Sequence, residues 1–185
     1  AVIGIANADN DYSEEDALRL SLFLDGVWKA VRRFQMQQRM RLQSTALEAA
    51  ASVVVITDRD GRIEWVNPAF TSVTGYSLEE VVGQNPRILK SGKQDNAFYE
   101  NLWNTILCGQ VWRGEMVNKR KDGRLYTEQA VISPVCSDEG EIQHFIAIKE
   151  DITEQRKAEE AARESEQRFA LMAEAAPVMI WMTNA

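Results

Sequence analysis

The sequence predicts an α+β fold: a five-stranded antiparallel sheet with helices on one face, flanked by long coiled-coil-like linker helices. Three observations predict it. The run Val53-Val54-Val55-Ile56 is apolar without alternation and stops at the turn residues Asp58-Arg59-Asp60-Gly61, as expected of a strand buried on both faces. Residues 111–150 divide into three strand-length segments at Asp122-Gly123 and at Asp138-Glu139-Gly140. Between these strand regions Asn67, Ser77 and Asp95 each stand where a helix cap belongs.

In chain order, Ala1 to Ala6 is strand-like and runs into the polar loop Asn7 to Tyr12. Ser13, with Asp16 three residues on, then caps a long helix. Along it Leu20, Leu24, Val27, Val31 and Phe34 recur at spacings of four and three, the seam of a coiled coil. Gln35 to Gln43 is polar apart from Met36 and Met40 and reads as an exposed connector, ending in the small-residue stretch Leu47 to Ala51. After the first strand, Arg62 to Val66 completes a hairpin-like pair. Asn67 and Pro68 open a helix that breaks at Gly75-Tyr76, and Ser77 with Glu80 opens another. Asn85 to Gly92 is a loop punctuated by Pro86 and Gly92. Asp95 caps a helix whose stripe Phe98, Leu102, Trp103, Ile106 and Leu107 ends at Gly109. Beyond the three closing strands, Glu154 to Ala176 is again helical, with a weak seam of Ala158, Ala162, Ser165, Phe169, Met172 and Ala176. Residues 174–183 echo 48–57: Glu48-Ala49-Ala50 and Thr57 recur as Glu174-Ala175-Ala176 and Thr183.

Composition narrows the function. The chain of 185 residues has room for one ordinary domain plus appendages. A hydrophobic fraction of 45% and a charged fraction of 26% are those of a soluble globular protein. A net charge of -7 argues against nucleic acid as partner, and Lys119-Arg120-Lys121 beside Asp122-Gly123 reads as a solvated hairpin end. No apolar run approaches the roughly 20 residues of a membrane helix, and no signal-peptide pattern opens the chain, so a cytoplasmic segment is expected. Cys108 and Cys136 lack metal-ligand spacing and read as small buried or half-buried apolar residues. There is no phosphate-binding glycine loop, metal cluster or nucleophile–base pair, so no catalysis is expected within the segment.

Taken in order, Asp58-Arg59-Asp60-Gly61, Asn67-Pro68-Ala69-Phe70, Thr74-Gly75-Tyr76-Ser77, Gly83-Gln84, Asn118 to Gly123 and Asp151-Ile152-Thr153 resemble the PAS sensory domain, over roughly Leu47 to Thr153. Tyr12-Ser13-Glu14-Glu15-Asp16 is similar to the end of a GAF domain. The expected organisation is the end of a GAF-like domain with its linker helix at 1–43, a PAS domain at 44–153, a linker helix at 154–170 and the start of a second PAS domain at 171–185.

Candidate site residues follow from the period of two along strands. Trp112, Gly114, Met116 and Asn118 share one face of the first closing strand; Thr127, Gln129, Val131 and Ser133 are taken to face the same side, with Phe145, Ala147 and Lys149 on the last strand. Apolar and hydrogen-bonding groups converge there, the pattern of a ligand pocket. The Asn118 carboxamide suits a planar heteroaromatic edge, and Trp103 or Trp112 an aromatic wall. The resemblance adds that Asn85-Pro86-Arg87-Ile88-Leu89 and Asn118 look like the flavin-contacting positions of the light-oxygen-voltage branch. Pro86 stands where that branch has its photoreactive cysteine, so adduct chemistry is not expected there. Leu102-Trp103, Trp112, Val117-Asn118, Arg120-Lys121-Asp122, Leu125-Tyr126 and Gln129 are closer to the FAD-binding redox-sensing PAS domains of nitrogen-fixation regulators. Lys149 replaces an amide of the light-sensing relatives, and Gln129 a carboxylate of the redox family. The implied cofactor is FAD or FMN, held by Asn85, Arg87, Trp103, Trp112, Asn118, Gln129 and Lys149. Each also has a plain structural reading: Asn85 as a turn residue, the tryptophans as core, Asn118 bonded to a loop, Lys149 reaching solvent. Haem is disfavoured, because the sole histidine, His144, falls on the strand face opposite Phe145 and Lys149.

The expected function is that of a sensory module in a bacterial multidomain signalling protein. It would dimerise through its linker helices and pass its state to an output domain, such as a histidine kinase or diguanylate cyclase, outside the segment. The alternative is a ligand-free structural module whose pocket is packed shut by Trp112, Met116 and Phe145.

Overall fold

Asn67, Ser77 and Asp95 act as the sequence leads one to expect, and the apolar first strand takes an interior place in the sheet. The computed structural model describes residues 14–175. The strand expected at 1–6, its loop and the Ser13 cap lie outside the described residues, as does the expected second-domain start from residue 176 on. The chain divides into two units at Leu47 and Glu48.

The first unit is helical: α1 runs unbroken over Glu14–Glu48, straight through the polar stretch 35–43. Val27, Val31 and Phe34 of the expected seam are exposed on it, as are Phe23 and Trp28. Its surface carries i,i+4 pairs, Arg19–Glu15 at 2.6 Å and Lys29–Asp25 at 2.7 Å.

In the second unit the strands are β1 (Val53–Asp58), β2 (Ile63–Val66), β3 (Trp112–Lys119), β4 (Leu125–Cys136) and β5 (Ile142–Asp151). Their order is β2-β1-β5-β4-β3, antiparallel throughout. β1 therefore lies between β2 and β5, and consecutive Val53, Val54 and Val55 are all buried, so both of its faces are covered and its sequence lacks a polar one. Val55 pairs with Val66 on one side and Ala147 on the other.

The helical material between β2 and β3 covers one face of the sheet. Asn67 caps α2 (Pro68–Thr74) by accepting from Phe70 N at 3.2 Å. Gly75 ends that helix at φ +80, a left-handed conformation that a side chain would strain. Ser77 and Glu80 form the expected capping box on α3 (Leu78–Val81). Where a loop was expected, Pro86–Leu89 is a 3-10 turn, because Asn85 accepts from Arg87 N at 3.0 Å and starts a helical turn too short to continue. α4 (Asn96–Leu107) begins at the Asp95 cap, and α5 (Thr153–Ala175) leaves the end of β5.

Two apolar clusters result. Val53, Val55, Ile63, Val66 and Phe70 join α2 and α3 to the β1–β2 side; Leu102, Ile106, Met116, Ala130 and Phe145 join α4 to the β3–β4 side. Burial of Phe70 alone contributes about 1.5–3 kcal/mol. Three expectations need correction. Cys108 and Cys136 are exposed, because each sits at the end of an element, past α4 and at the tip of β4. Leu107 is exposed too, since the buried stripe of α4 stops at Ile106. The basic hairpin end is not simply solvated: Arg120 is half-buried and donates to Val73 O, and Lys121 pairs with Glu80. Among the described residues no helix is long and apolar enough to cross a membrane.

Candidate functional site

Strand register decides which side chains meet beneath the helices. Asn118 lies opposite Tyr126, Met116 opposite Glu128 and Gly114 opposite Ala130; Ala130 lies opposite Lys149 in turn. Directly opposed residues share a face. The covered face of β4 is therefore Tyr126, Glu128, Ala130 and Ile132, one residue out of phase with the expected Thr127, Gln129, Val131 and Ser133. Gln129 is exposed on the outer face and takes no part in the site. His144 is also on the outer face, with Nδ1 3.0 Å from Glu64 Oε2.

Between the two apolar clusters the helices leave a cavity of about 110 Å³, and Asn85, Arg87, Trp103, Asn118 and Lys149 of the expected set line it. Trp112 does not. Its ring folds back over Gly114, where an added Cβ would come within 2.6 Å of it. There it donates from Nε1 to Asn101 Oδ1 at 3.2 Å and meets Phe98 edge-on at 5.5 Å, so it belongs to the packing of α4 on the sheet. Trp103 stands edge-on to Phe145 at 6.0 Å and forms part of the cavity wall. A shallower basin of about 370 Å³ outside shares Asn85, Arg87, Lys90, Tyr99 and Trp103 with the cavity, which makes these five the partition between the two.

The polar groups of the cavity are not equally available. Asn85 is consumed as a turn residue, because its Nδ2 donates to Gly61 O at 3.1 Å while its Oδ1 serves Arg87 N. Lys149 does not reach solvent. Its side chain is 8% exposed and its Nζ donates to Glu128 Oε1 at 2.5 Å, with Glu128 only 3% exposed. Asn118 Nδ2 donates to the same oxygen at 2.9 Å. Burying both charges carries a desolvation cost of several kcal/mol per ion, which only their mutual pairing offsets. Beside them Tyr126 is buried, and its hydroxyl lies next to Glu128 and Asn118 without a well-formed hydrogen bond to any described residue. Burial, and then the charge of Glu128, push that phenol far above its ordinary value. Tyr99 OH is likewise buried without a partner, its ring capped by Lys90 Nζ at 3.4 Å from the centroid.

The residues that build this helix-covered sheet match a family model. The model described as "PAS domain" aligns with residues 51–154. The chain belongs to the PAS family. Among curated relatives the PAS domain and its flanks are 38% identical over 137 residues to a nitrogen fixation regulatory protein of Klebsiella oxytoca, covering 74% of this chain and 28% of that protein. They are 33% identical over 94 residues to a blue-light-activated histidine kinase of Brucella canis, covering 51% of this chain and 19% of the kinase. The chain thus spans under a third of the length of these relatives. Among solved structures, an RNA-binding light-oxygen-voltage receptor superposes with TM-score 0.62 at 26% identity, over 68% of this chain and 36% of that one. The light-oxygen-voltage domain of an Erythrobacter litoralis blue-light-activated histidine kinase does so at 0.53 and 28%, over 56% and 98%.

The PAS domain hands its sheet to α5 through a compact junction. Asp151 Oδ1 accepts from Thr153 N at 3.0 Å and Oγ1 at 2.5 Å, and Asp151 Oδ2 from Arg120 Nη2 at 2.5 Å. Thr127 N donates to Thr153 Oγ1 at 2.9 Å, and Ile152 N to Thr127 O at 2.9 Å. Burial alone would raise the Asp151 carboxyl, but the bonds from Thr153 and Arg120 outweigh it and hold the group below its ordinary value. As site residues, sequence reasoning missed Glu128, Tyr126 and Tyr99, although Leu125-Tyr126 carried part of the resemblance. The signal for the first two was present: with Asn118 facing inward, the hairpin at Asp122-Gly123 forces its partner Tyr126, and hence Glu128, inward too.

Proposed function

We propose that this PAS domain is the sensory module of a bacterial, cytoplasmic, multidomain signalling protein: it binds a small planar ligand and passes the ligand's state through α5 to an output domain outside the segment. A histidine kinase or diguanylate cyclase fits that output. In the same reading residues 1–43 close a GAF-like domain and 171–185 open a second PAS domain. The observation that carries the proposal is a cavity with apolar walls on both sides, Val55, Ile63 and Phe70 facing Leu102, Ile106 and Met116, and with buried Asn118 and Lys149 at its edge. A purely structural module needs neither the space nor the buried charge.

FAD or FMN is the first candidate, and the donor set fits its chemistry. Asn118 and Lys149 would hold the polar edge of the ring, Trp103 would flank its face, and Arg87 and Lys90 stand on the open side. A flavin supplies a ring whose edge changes charge and hydrogen bonding on reduction. Among the described residues no cysteine lines the cavity, and Pro86 does, so no thiol stands there to form an adduct. The inner cavity is smaller than the roughly 300–1,000 Å³ of ligand pockets, so entry requires the partition at Trp103 and Lys90 to swing outward. Absorption spectroscopy of the purified chain, as isolated and after incubation with FAD, should show a protein-bound flavin. Ala147→Leu, which fills the cavity from β5, should weaken its retention at least tenfold while leaving the thermal midpoint nearly unchanged. A chain that stays colourless after reconstitution removes flavin and leaves a colourless metabolite.

Homodimerisation through α1 belongs to the same reading, supported by the exposed Val27, Val31 and Phe34 at coiled-coil spacing. Light scattering should give twice the monomer mass for the whole chain, and Val27→Glu/Val31→Glu should halve it. An unchanged mass would place the dimer contact elsewhere.

A further inference from the structure

We propose that Tyr126 is a two-position switch: a ligand that draws Lys149 off Glu128 with a carbonyl or anionic oxygen frees Glu128 to capture the Tyr126 hydroxyl, and this loosens the anchor of α5. The inference rests on the ligand-binding reading for its trigger, but the switch itself is built only from residues of this chain. Four observations carry it.

Lys149 lines the cavity, so its ammonium is the charged group that a ligand there meets, and one of its three donors is committed to Glu128. Glu128 is buried and cannot turn to water, so a carboxylate that loses Lys149 must take another donor. A donor is at hand in Tyr126 OH, which lies beside Glu128 and is buried without a geometrically formed hydrogen bond among the described residues. One face of the same ring is already engaged: the Arg120 guanidinium lies over it at 4.6 Å.

Arg120 also donates to Val73 O at the end of α2 and to Asp151 Oδ2 at the end of β5, two residues before α5. A tilt of the Tyr126 ring toward Glu128 removes the surface on which Arg120 rests. The guanidinium then yields its hold on Asp151, and Asp151 in turn holds Thr153 N and Oγ1. The pairing Glu128↔Asp151 across β4 and β5 places the two carboxylates one strand apart, so a ring-sized displacement at one is felt at the other. Occupancy of the cavity is thereby read out as fraying of the first turn of α5, with no change in the sheet ladder.

Amide hydrogen exchange of the whole chain without ligand tests the switch apart from ligand binding. Lys149→Met, which keeps the length of the side chain but removes its charge and its donors, should speed exchange at residues 153–156 at least tenfold. Tyr126→Phe, which deletes an unbonded hydroxyl, should leave those rates within twofold of the parent. In the Tyr126→Phe background, Lys149→Met should then have no effect. If Lys149→Met does not fold, Lys149→Gln, whose shorter, uncharged side chain holds Glu128 more weakly, is read in the same way. Rates at 153–156 that stay within twofold in the variant of the pair, or that rise equally with Phe at 126, would overturn the switch. A colourless chain with an intact exchange response would instead reject flavin and keep the switch.

Discussion

Lys149→Met should destabilise the PAS domain by about 3–5 kcal/mol, the cost of leaving a buried charge without its partner. The stranded group is Glu128, 3% exposed, which keeps Asn118 Nδ2 on its Oε1 and can gain only the neutral Tyr126 hydroxyl in place of the ammonium. The pair itself contributes little net stability, because the same desolvation that makes its loss costly was incurred in forming it. The double variant Lys149→Met/Glu128→Gln should therefore recover most of the loss. A glutamine carbonyl still accepts from Asn118, and its amide can donate to the unbonded oxygen of Tyr126. Urea denaturation of the three proteins decides this, read as midpoints at constant slope. A cost under about 1 kcal/mol for the single variant would mean that Glu128 reaches water on its own, since that is the range of an exposed pair. What the pair does supply is a charge held in an apolar cavity wall, and that is of use to a sensor rather than to a scaffold.

The same residues show where the sequence could be read and where it could not. Caps and turns are local, so Asn67, Gly75, Ser77 with Glu80, and Asp95 were legible one by one, and the breaks between helices followed. β1 was legible because both of its faces are covered and its composition has no polar alternative. The face of β4 was not, because its covered positions alternate Tyr126, Glu128, Ala130 while its outer ones are Thr127, Gln129, Val131. By polarity alone neither set looks like a core. A buried carboxylate reverses the usual inference from charge to surface, and only its partner 21 residues along the chain makes that placement tolerable. Trp112 failed for a different reason. It shares the inward face with Asn118, but a large ring at the end of a strand can fold along the sheet, and Gly114 gives it somewhere to go. Parity assigns a face; it does not assign a neighbour.

Asn67→Ala should cost about 2–4 kcal/mol, from a lost helix cap worth about 1 kcal/mol and a buried donor left unsatisfied for a further 1–3. Read as sequence, Asn67 is a cap before Pro68. In the fold its side chain, in a residue 1% exposed, does considerably more. Oδ1 accepts from Val54 N at 2.9 Å as well as from Phe70 N, and Nδ2 donates to Ser52 O at 2.9 Å. One carboxamide thus ties the entry to β1, β1 itself and α2 together. Asn67→Ser separates the two roles, because serine caps as well as asparagine but is too short to serve Ser52 and Val54 as well. If capping is only part of the role, Asn67→Ser should regain about 1 kcal/mol over Asn67→Ala and remain at least about 1 kcal/mol below the parent. Full recovery with serine would reduce Asn67 to its local role. Partial recovery would show that β1, which carries Val55 and Thr57 into the cavity wall, is held in place by a residue whose sequence signature speaks only of the helix that follows it.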